Sequence, residues 1–452
     1  MTRKFKTVDY QVTRDITVRL GDCLPSDHLA CFVVDAVAQL DLSAIYARYG
    51  TRGGEPYAPE TLLGLVFYGY ATGVFSSRKM ERATYDSVAF RFIAGNTHPD
   101  HDTLATFRKT FLPQLKGLFV QILLLARLTG VLQLGRISLD GTKIHADAAK
   151  SSAVSYQRLR EIERQLRAEV EELFALGDQA DQGQVPDGVV IGDEIALRQA
   201  RLVRLAAART VIEGRAGERD AVEQAEYAAK VRERADKAEQ SGRKPRGRPP
   251  EPPTTGPREG DQYNFTDPDS RIMKSSRGFD QDYNAQVAVD QESLLIVGEC
   301  LSNHPNDQAE VAPTVESIPP ELGCPDAAAL DNGYSSAANI AYLASRGIEP
   351  YIATGRDAHH LSWQERFADV VTPPPRGASP KVTMAYKLKT QIGKAIYAAR
   401  KSTVEPVIGI IKEVLGFRQF SLRGERAAAG EWCLVCLAFN LKRMHRLTFF
   451  QA

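Results

Sequence analysis

A chain of 452 residues, 43% hydrophobic and 25% charged, can bury at least one large core and divide into two or three domains. Its 57 basic and 56 acidic residues leave a net charge of +1, which neither supports nor excludes nucleic acid as a partner, because opposite charges can segregate into patches. Six scattered cysteines are not the dense framework of a small secreted domain. The N-terminal stretch lacks a signal-type apolar core, and the greasiest run, 118–134, is broken by Gln121, Arg127 and Thr129. The expectation is a cytoplasmic protein with no membrane span.

Residues 25–134 carry helical spacing. Pro59 suits a first helical turn, Leu62, Leu63, Val66, Phe67 and Tyr70 line one side, and Gly73 is a stop signal. A short basic helix follows in "SSRKMERATYDS", then a long helix with Asp102 or Thr103 as N-cap. Two short helices, a turn and a third helix fit a helix-turn-helix DNA reader, and pattern alone supports a purely structural packing domain equally. Residues 1–134 are therefore expected as a helical, DNA-binding domain. His98 and His101 fall in a loop, with turn or backbone roles.

"RISLDGT" reads as a β-branched strand ending on Asp140 at an Asp-Gly turn. Residues 151–240 are rich in Glu, Arg, Ala and Leu and read as two long charged helices in an antiparallel hairpin. Residues 241–261 form a basic linker rich in Pro and Gly, expected to be flexible. Within it, "KPRGRPP" sets Arg246 and Arg248 about a glycine on an extended backbone, which suits a narrow minor groove and equally suits a plain solvated linker.

From residue 283 come two strands joined at Gln291-Glu292, a helix from about Asp307 to Ile318, and a strand "AAALD" ending at Asp331. A helix closed by Gly347, a strand "EPYIATG" and two final helices follow. With 135–150 as the first strand, 262–452 complete an RNase H-like α/β order, a three-stranded meander followed by alternating helices and strands on a mixed sheet. In that order the first and fourth strands are neighbours, so Asp140 and Asp331 lie side by side. Close carboxylates repel unless a hard divalent cation sits between them. Glu405 offers a third acid, in the first turn of a helix capped by Ser402 or Thr403, with Lys412 two turns on along the same face. Asp, Asp and Glu around two Mg²⁺ ions, for which Mn²⁺ can substitute, suit in-line phosphoryl transfer. Each acid alone also has a plain reading as a turn or helix-start residue. His304 and Asp307 after the third strand could support the metal site, with Asp307 better read as an N-cap. Cys433 and Cys436 sit in an apolar helix and lack a second ligand pair for zinc.

These motifs resemble the DDE transposases of bacterial insertion sequences, in the branch with a Tyr-Arg-Glu-Lys signature. Asp140-Gly141-Thr142 is similar to the first motif and Asp331-Asn332-Gly333-Tyr334 to the second. Tyr397, Arg400, Glu405 and Lys412 fit the third, except that four residues, not three, separate Arg400 from Glu405, so the basic role falls to Arg400 or Lys401. The likeness extends to "YAPETLLGLVFYGYATG" through "PDHDTLATFRKTF" and to "FNLKRM". It implies binding of terminal inverted repeats in double-stranded DNA, Mg²⁺-dependent cleavage and transfer of the freed 3′-hydroxyl to target DNA. It also implies Asp140, Asp331 and Glu405 as catalytic metal ligands, phosphate contacts from Tyr397, Arg400 and Lys412, an active homodimer and a place at the bacterial nucleoid. A metal-dependent nuclease on the same fold, or a non-catalytic DNA-binding derivative, are the competing expectations.

Overall fold

The computed structural model describes residues 19–50, 55–180, 190–241, 247–275, 278–355, 373–375 and 377–450. Its first part is helical: α1 (Leu29–Ala38), α2 (Ser43–Tyr46), α3 (Pro59–Thr72), α4 (Ser77–Asp86), α5 (Val88–Ile93) and α6 (His101–Leu128). Pro59 opens α3 and Gly73, at φ +82°, closes it. A Cβ there would stand 2.7 Å from the Leu415 carbonyl oxygen, so both backbone conformation and space demand glycine. The one-sided apolar face expected for α3 is instead burial all round from Leu62 to Ala71, because α1, α5 and the C-terminal helix all pack on it. The cap of α6 is Asp100, not Asp102 or Thr103. Its carboxylate accepts from both the N–H and the hydroxyl of Thr103 at 2.8 Å, and His101 is already helical. Helix α6 is long and apolar enough to cross a membrane; here Leu104, Phe107, Phe111, Leu115 and Leu118 recur every three or four residues and pack into the core.

Next come β1 (Arg136–His145), β2 (Ala153–Ser155), α7 (Tyr156–Ala180) and α8 (Ile191–Ser241). Then follow β3 (Gln262–Asn264), β4 (Arg271–Ser275), β5 (Gly278–Asp290), β6 (Ile296–Ser302) and α9 (Val311–Glu316). The chain continues through β7 (Ala327–Leu330), α10 (Ala337–Ser345), β8 (Glu349–Ile352), α11 (Pro380–Lys389), α12 (Gln391–Gly409) and α13 (Glu425–Phe449). The main sheet runs β4-β5-β1-β7-β8, with β6 also on β5. Strand β5 is antiparallel to β1, β4 and β6, whereas β1, β7 and β8 are parallel. This is a mixed sheet in an α/β arrangement beside a helical N-terminal region. All four residues of β7 are buried, as a parallel strand covered on both faces requires. Strand β4, absent from the expected order, lengthens the meander.

The segment between β1 and β5 leaves and returns at one point, since β2 pairs antiparallel with β3. Helices α7 and α8 run antiparallel, joined by Arg198–Glu169 at 2.7 Å and Arg209–Glu163 at 2.9 Å over a small core of Leu159, Leu166, Leu205 and Ile212. At 51 residues, α8 is twice as long as α7. Its second half holds residues 247–261 of the stretch expected to be flexible, 242–246 lying outside the described residues: Arg219 pairs with Asp261 at 2.8 Å, Glu223 with Arg258 at 2.7 Å, and Arg234 donates to the Gly247 carbonyl at 2.7 Å. A segment too rich in Pro and Gly to build a core is here ordered by charge. Arg219→Ala is expected to speed amide exchange across 250–261 while costing about 1 kcal/mol, because ion pairs still partly open to solvent contribute little. Unchanged exchange would mean that the ion pair does not hold the stretch.

The helix carrying Glu405 does not start at Ser402 or Thr403. Helix α12 runs unbroken from Gln391, capped by Thr390, with Pro406 inside it. The proline removes one backbone donor, and burial of Thr403, Val404 and Val407 against the sheet offsets that loss.

Candidate active site

Pairing of β1 with β7 ends at Ser138–Ala329. Beyond it, β1 continues along β5, with Asp140 opposite Val287 and Gly141 opposite Gln286, and its last residue, His145, also bridges to Gln419. Asp140 therefore lies two residues past the end of the β1–β7 pairing and inside β1, not at a strand end, and Gly141 lies within the strand, not in a turn. A Cβ on Gly141 would lie 2.1 Å from Gln286 Nε2, so the glycine admits a neighbouring side chain. Asp331 follows β7 directly, and its Oδ1 accepts the Gly333 N–H at 2.7 Å, capping a short 3-10 turn through Tyr334. Glu405 comes from α12, which crosses β1, β5 and β7.

One guanidinium gathers the three acids. Arg400 Nη2 lies 2.6 Å from Asp140 Oδ2 and 3.7 Å from Asp331 Oδ2, and Nη1 lies 3.1 Å from Glu405 Oε1. The Arg400 side chain is 10% exposed, whereas Asp331 and Glu405 are 37% and 47% exposed. The cluster is thus buried at its arginine and open at two of its acids. Burial pushes the Asp140 carboxyl up to about 6; Arg400 opposes this, and the charges of Asp331 and Asp307 add to it. Arg400, not Lys401, turns to the acids; Lys401 beside it is exposed.

Lys412 reaches the same face of β1, where Nζ donates to Thr142 Oγ1 at 2.9 Å and the Lys143 carbonyl at 3.1 Å. It sits in a π turn, Ile410–Val414, which interrupts the helical repeat on which the same-face expectation rested. Tyr397 is half-buried on α12, three residues before Arg400. Arg248 is exposed and paired with Glu251, far along the chain from the acids, and Arg246 lies outside the described residues. His98 stacks on Tyr85 and approaches Thr84 Oγ1 at 3.0 Å. His101 is helical, not in a loop, and meets Glu81 at 2.8 Å. Cys433 and Cys436 are buried in α13, where burial pushes both thiols well up.

Asp307 does not cap α9, which starts after Glu310; His304 meets Glu310 at 2.8 Å. The Asp307 carboxylate instead accepts from Asn284 at 2.8 Å, Gln286 at 2.9 Å and Lys143 at 3.2 Å. Asn284 and Gln286 are fully buried, and neither is a candidate in the sequence reading above. Their signal is two amides at alternating positions within the apolar run 283–289 of β5.

Among the described residues, no three His, Cys, Asp or Glu side chains stand close enough together to hold an ion as they are. The donor chemistry nevertheless fits one. Three carboxylates directed at a single buried positive charge are an all-oxygen set of the kind that hard divalent cations take.

Residues 18–110 match a family model described as a transposase domain (DUF772), and residues 370–445 match one described as a transposase DDE domain. The second includes Arg400, Glu405 and Lys412, and neither spans Asp140 or Asp331. No curated protein and no solved structure matches the chain. One match to a transposase domain near the start of the chain and one to a transposase DDE domain near its end together support a DDE transposase of an insertion element.

Proposed function

We propose that this transposase binds the terminal inverted repeats of its element as double-stranded DNA, cleaves at their ends and joins the freed 3′-hydroxyl to target DNA. The observation that carries the reading is the meeting of Asp140, Asp331 and Glu405, from three separate segments, on Arg400. The sheet order, an antiparallel meander followed by two strands parallel to β1, supports an RNase H-like catalytic domain of 135–150 and 262–452. Residues 1–134 then form a helical DNA-binding domain, 151–240 a charged helical insertion and 241–261 a basic linker.

Asp140, Asp331 and Glu405 would hold two Mg²⁺ ions, or Mn²⁺ in their place, which when bound activate a water or 3′-hydroxyl and stabilise the leaving oxygen. Arg400 holds the three carboxylates together against their mutual repulsion and then has a guanidinium fork to offer a phosphate. Tyr397, Lys401 and Lys412 supply further hydrogen bonds and charge to phosphates near the cut, and Arg246 and Arg248 to DNA farther away. The active complex is a homodimer acting at the bacterial nucleoid, in the cytoplasm.

The test is incubation with a duplex carrying the terminal repeat, a target plasmid and Mg²⁺. Joined products support the proposal; cut but unjoined ends favour a nuclease, and retarded but uncut duplex a non-catalytic binder. A smaller prediction concerns Arg400→Gln. In EDTA this variant is expected to lose about 1.5–3 kcal/mol, the range for hydrogen bonds to charged groups, and to gain more thermal stability from added Mg²⁺ than wild type does. Equal gains would remove Arg400 from its role as counter-charge.

A further inference from the structure

Gln286 lies in β5, fully buried, directly across from Gly141. Every polar atom of its side chain is engaged. Oε1 accepts the Tyr334 hydroxyl, and Nε2 donates to Asn284 Oδ1 and Asp307 Oδ1, both at 2.9 Å. The amide can face only one way, because a phenol donates and the Asp307 carboxylate accepts. Its backbone is held too, the carbonyl accepting Trp432 Nε1 at 3.1 Å.

Three segments meet on this side chain. It occupies the space a Cβ on residue 141 would need, next to Asp140. It grips Tyr334, the last residue of the turn that Asp331 caps. It also binds Asp307, whose Oδ1 takes Lys143 Nζ of β1 at 3.2 Å. By the strand pleat, Gly141 and Gln286 face away from the side to which Asp140 points, so this network backs the acids from behind the sheet. Val287, Ala288 and Val289 in the same strand are apolar and equally buried. A core needing only volume would have taken another aliphatic at 286, since a buried amide costs free energy unless fully bonded.

We propose that Gln286 is a positioning residue for strand cleavage, fixing the separation of Asp140 and Asp331 by packing over Gly141 and holding Tyr334. The inference rests on the carboxylate reading given above. Only glycine at 141 and a hydroxyl donor at 334 fit this amide, which gives both motif positions a physical reason.

The experiment uses the full chain as wild type, Gln286→Leu, Tyr334→Phe and Asp140→Ala. Three quantities are measured: thermal unfolding, calorimetric binding of Mn²⁺ without DNA, and the Mg²⁺ concentration for half-maximal cleavage of a terminal-repeat duplex. Gln286→Leu is expected to raise the half-maximal Mg²⁺ concentration at least tenfold, and Tyr334→Phe about threefold, with calorimetric affinity weakened in parallel and duplex retardation unchanged. A lowered unfolding temperature with both cation measurements at wild-type values would make Gln286 merely structural and overturn the proposal. Should Gln286→Leu fail to fold, unchanged cation dependence in Tyr334→Phe overturns it alike. If Asp140→Ala cuts like wild type, the carboxylate reading falls and takes this proposal with it. If Asp140→Ala neither cuts nor binds Mn²⁺ while the other two variants match wild type, only the positioning role falls.

Discussion

Asp140→Asn is expected to lose at least about a hundredfold in Mg²⁺-dependent cleavage and, in EDTA at neutral pH, to be more stable than wild type. The loss follows from removing one charged oxygen ligand, since several kcal/mol of transition-state stabilisation passes through such a site. The gain follows from burial. The Asp140 carboxyl is pushed from its ordinary 3.8 to about 6, chiefly by desolvation, with Arg400 opposing and Asp331 and Asp307 reinforcing. A folded-state value above the unfolded one means that the fold favours the protonated form. The penalty is absent below about pH 4, grows as pH rises towards 6 and is complete above it. At 1.36 kcal/mol per unit it amounts to roughly 3 kcal/mol. Asparagine keeps the shape without the charge. Unfolding in EDTA at pH 4 and pH 8 is the check: the advantage of the variant should be small at the lower pH and large at the higher. An advantage that does not change with pH would mean that Asp140 carries no electrostatic strain. The site thus trades stability for function, with crowded acids whose repulsion one arginine only partly offsets.

Glu431→Ala is expected to cost about 3–5 kcal/mol, the range for stripping one partner from a buried charged network. Glu431 is fully buried on α13. Its carboxylate accepts from the Tyr70 hydroxyl at 2.7 Å, from the Ser421 hydroxyl and N–H at 2.6 and 2.8 Å, and from the Leu422 N–H at 3.1 Å. Arg108 of α6, 3.9 Å away, also donates to the Tyr70 hydroxyl at 2.8 Å. The alanine would leave two N–H groups and two hydroxyls without their acceptor, and the Arg108 guanidinium without its counter-charge, at the junction of α3, α6 and α13. Glu431→Gln keeps an acceptor and should lose less than half as much in urea unfolding. Equal losses would make the effect one of volume, not of hydrogen bonding. The network bridges the helical N-terminal region and the helix that backs the sheet. Destabilisation should therefore appear as one cooperative transition.

Local pattern was enough for the helical character of residues 25–134, the order of the main strands apart from β4, the neighbouring of β1 and β7, and the antiparallel pair within the insertion. Each of these rests on periodicity, capping and turn chemistry, which act over a few residues. Asp140, Asp331 and Glu405 were legible as candidates for the same reason, as acids beside glycine or beside a helix breaker. What stayed hidden depends on partners distant in the chain. Gly141 looks like a turn residue until Gln286 is placed across from it. Asp307 looks like a cap until β5 presents two amides to it. Residues 247–261 look unstructured until α8 runs past them carrying Arg219, Glu223 and Arg234. The choice of Arg400 over Lys401 depends on which way α12 turns as it crosses the sheet. Burial of Glu431 depends on three helices converging. Register and packing decide these contacts because hydrogen bonds and ion pairs act over a few ångströms in space, whatever the distance along the chain.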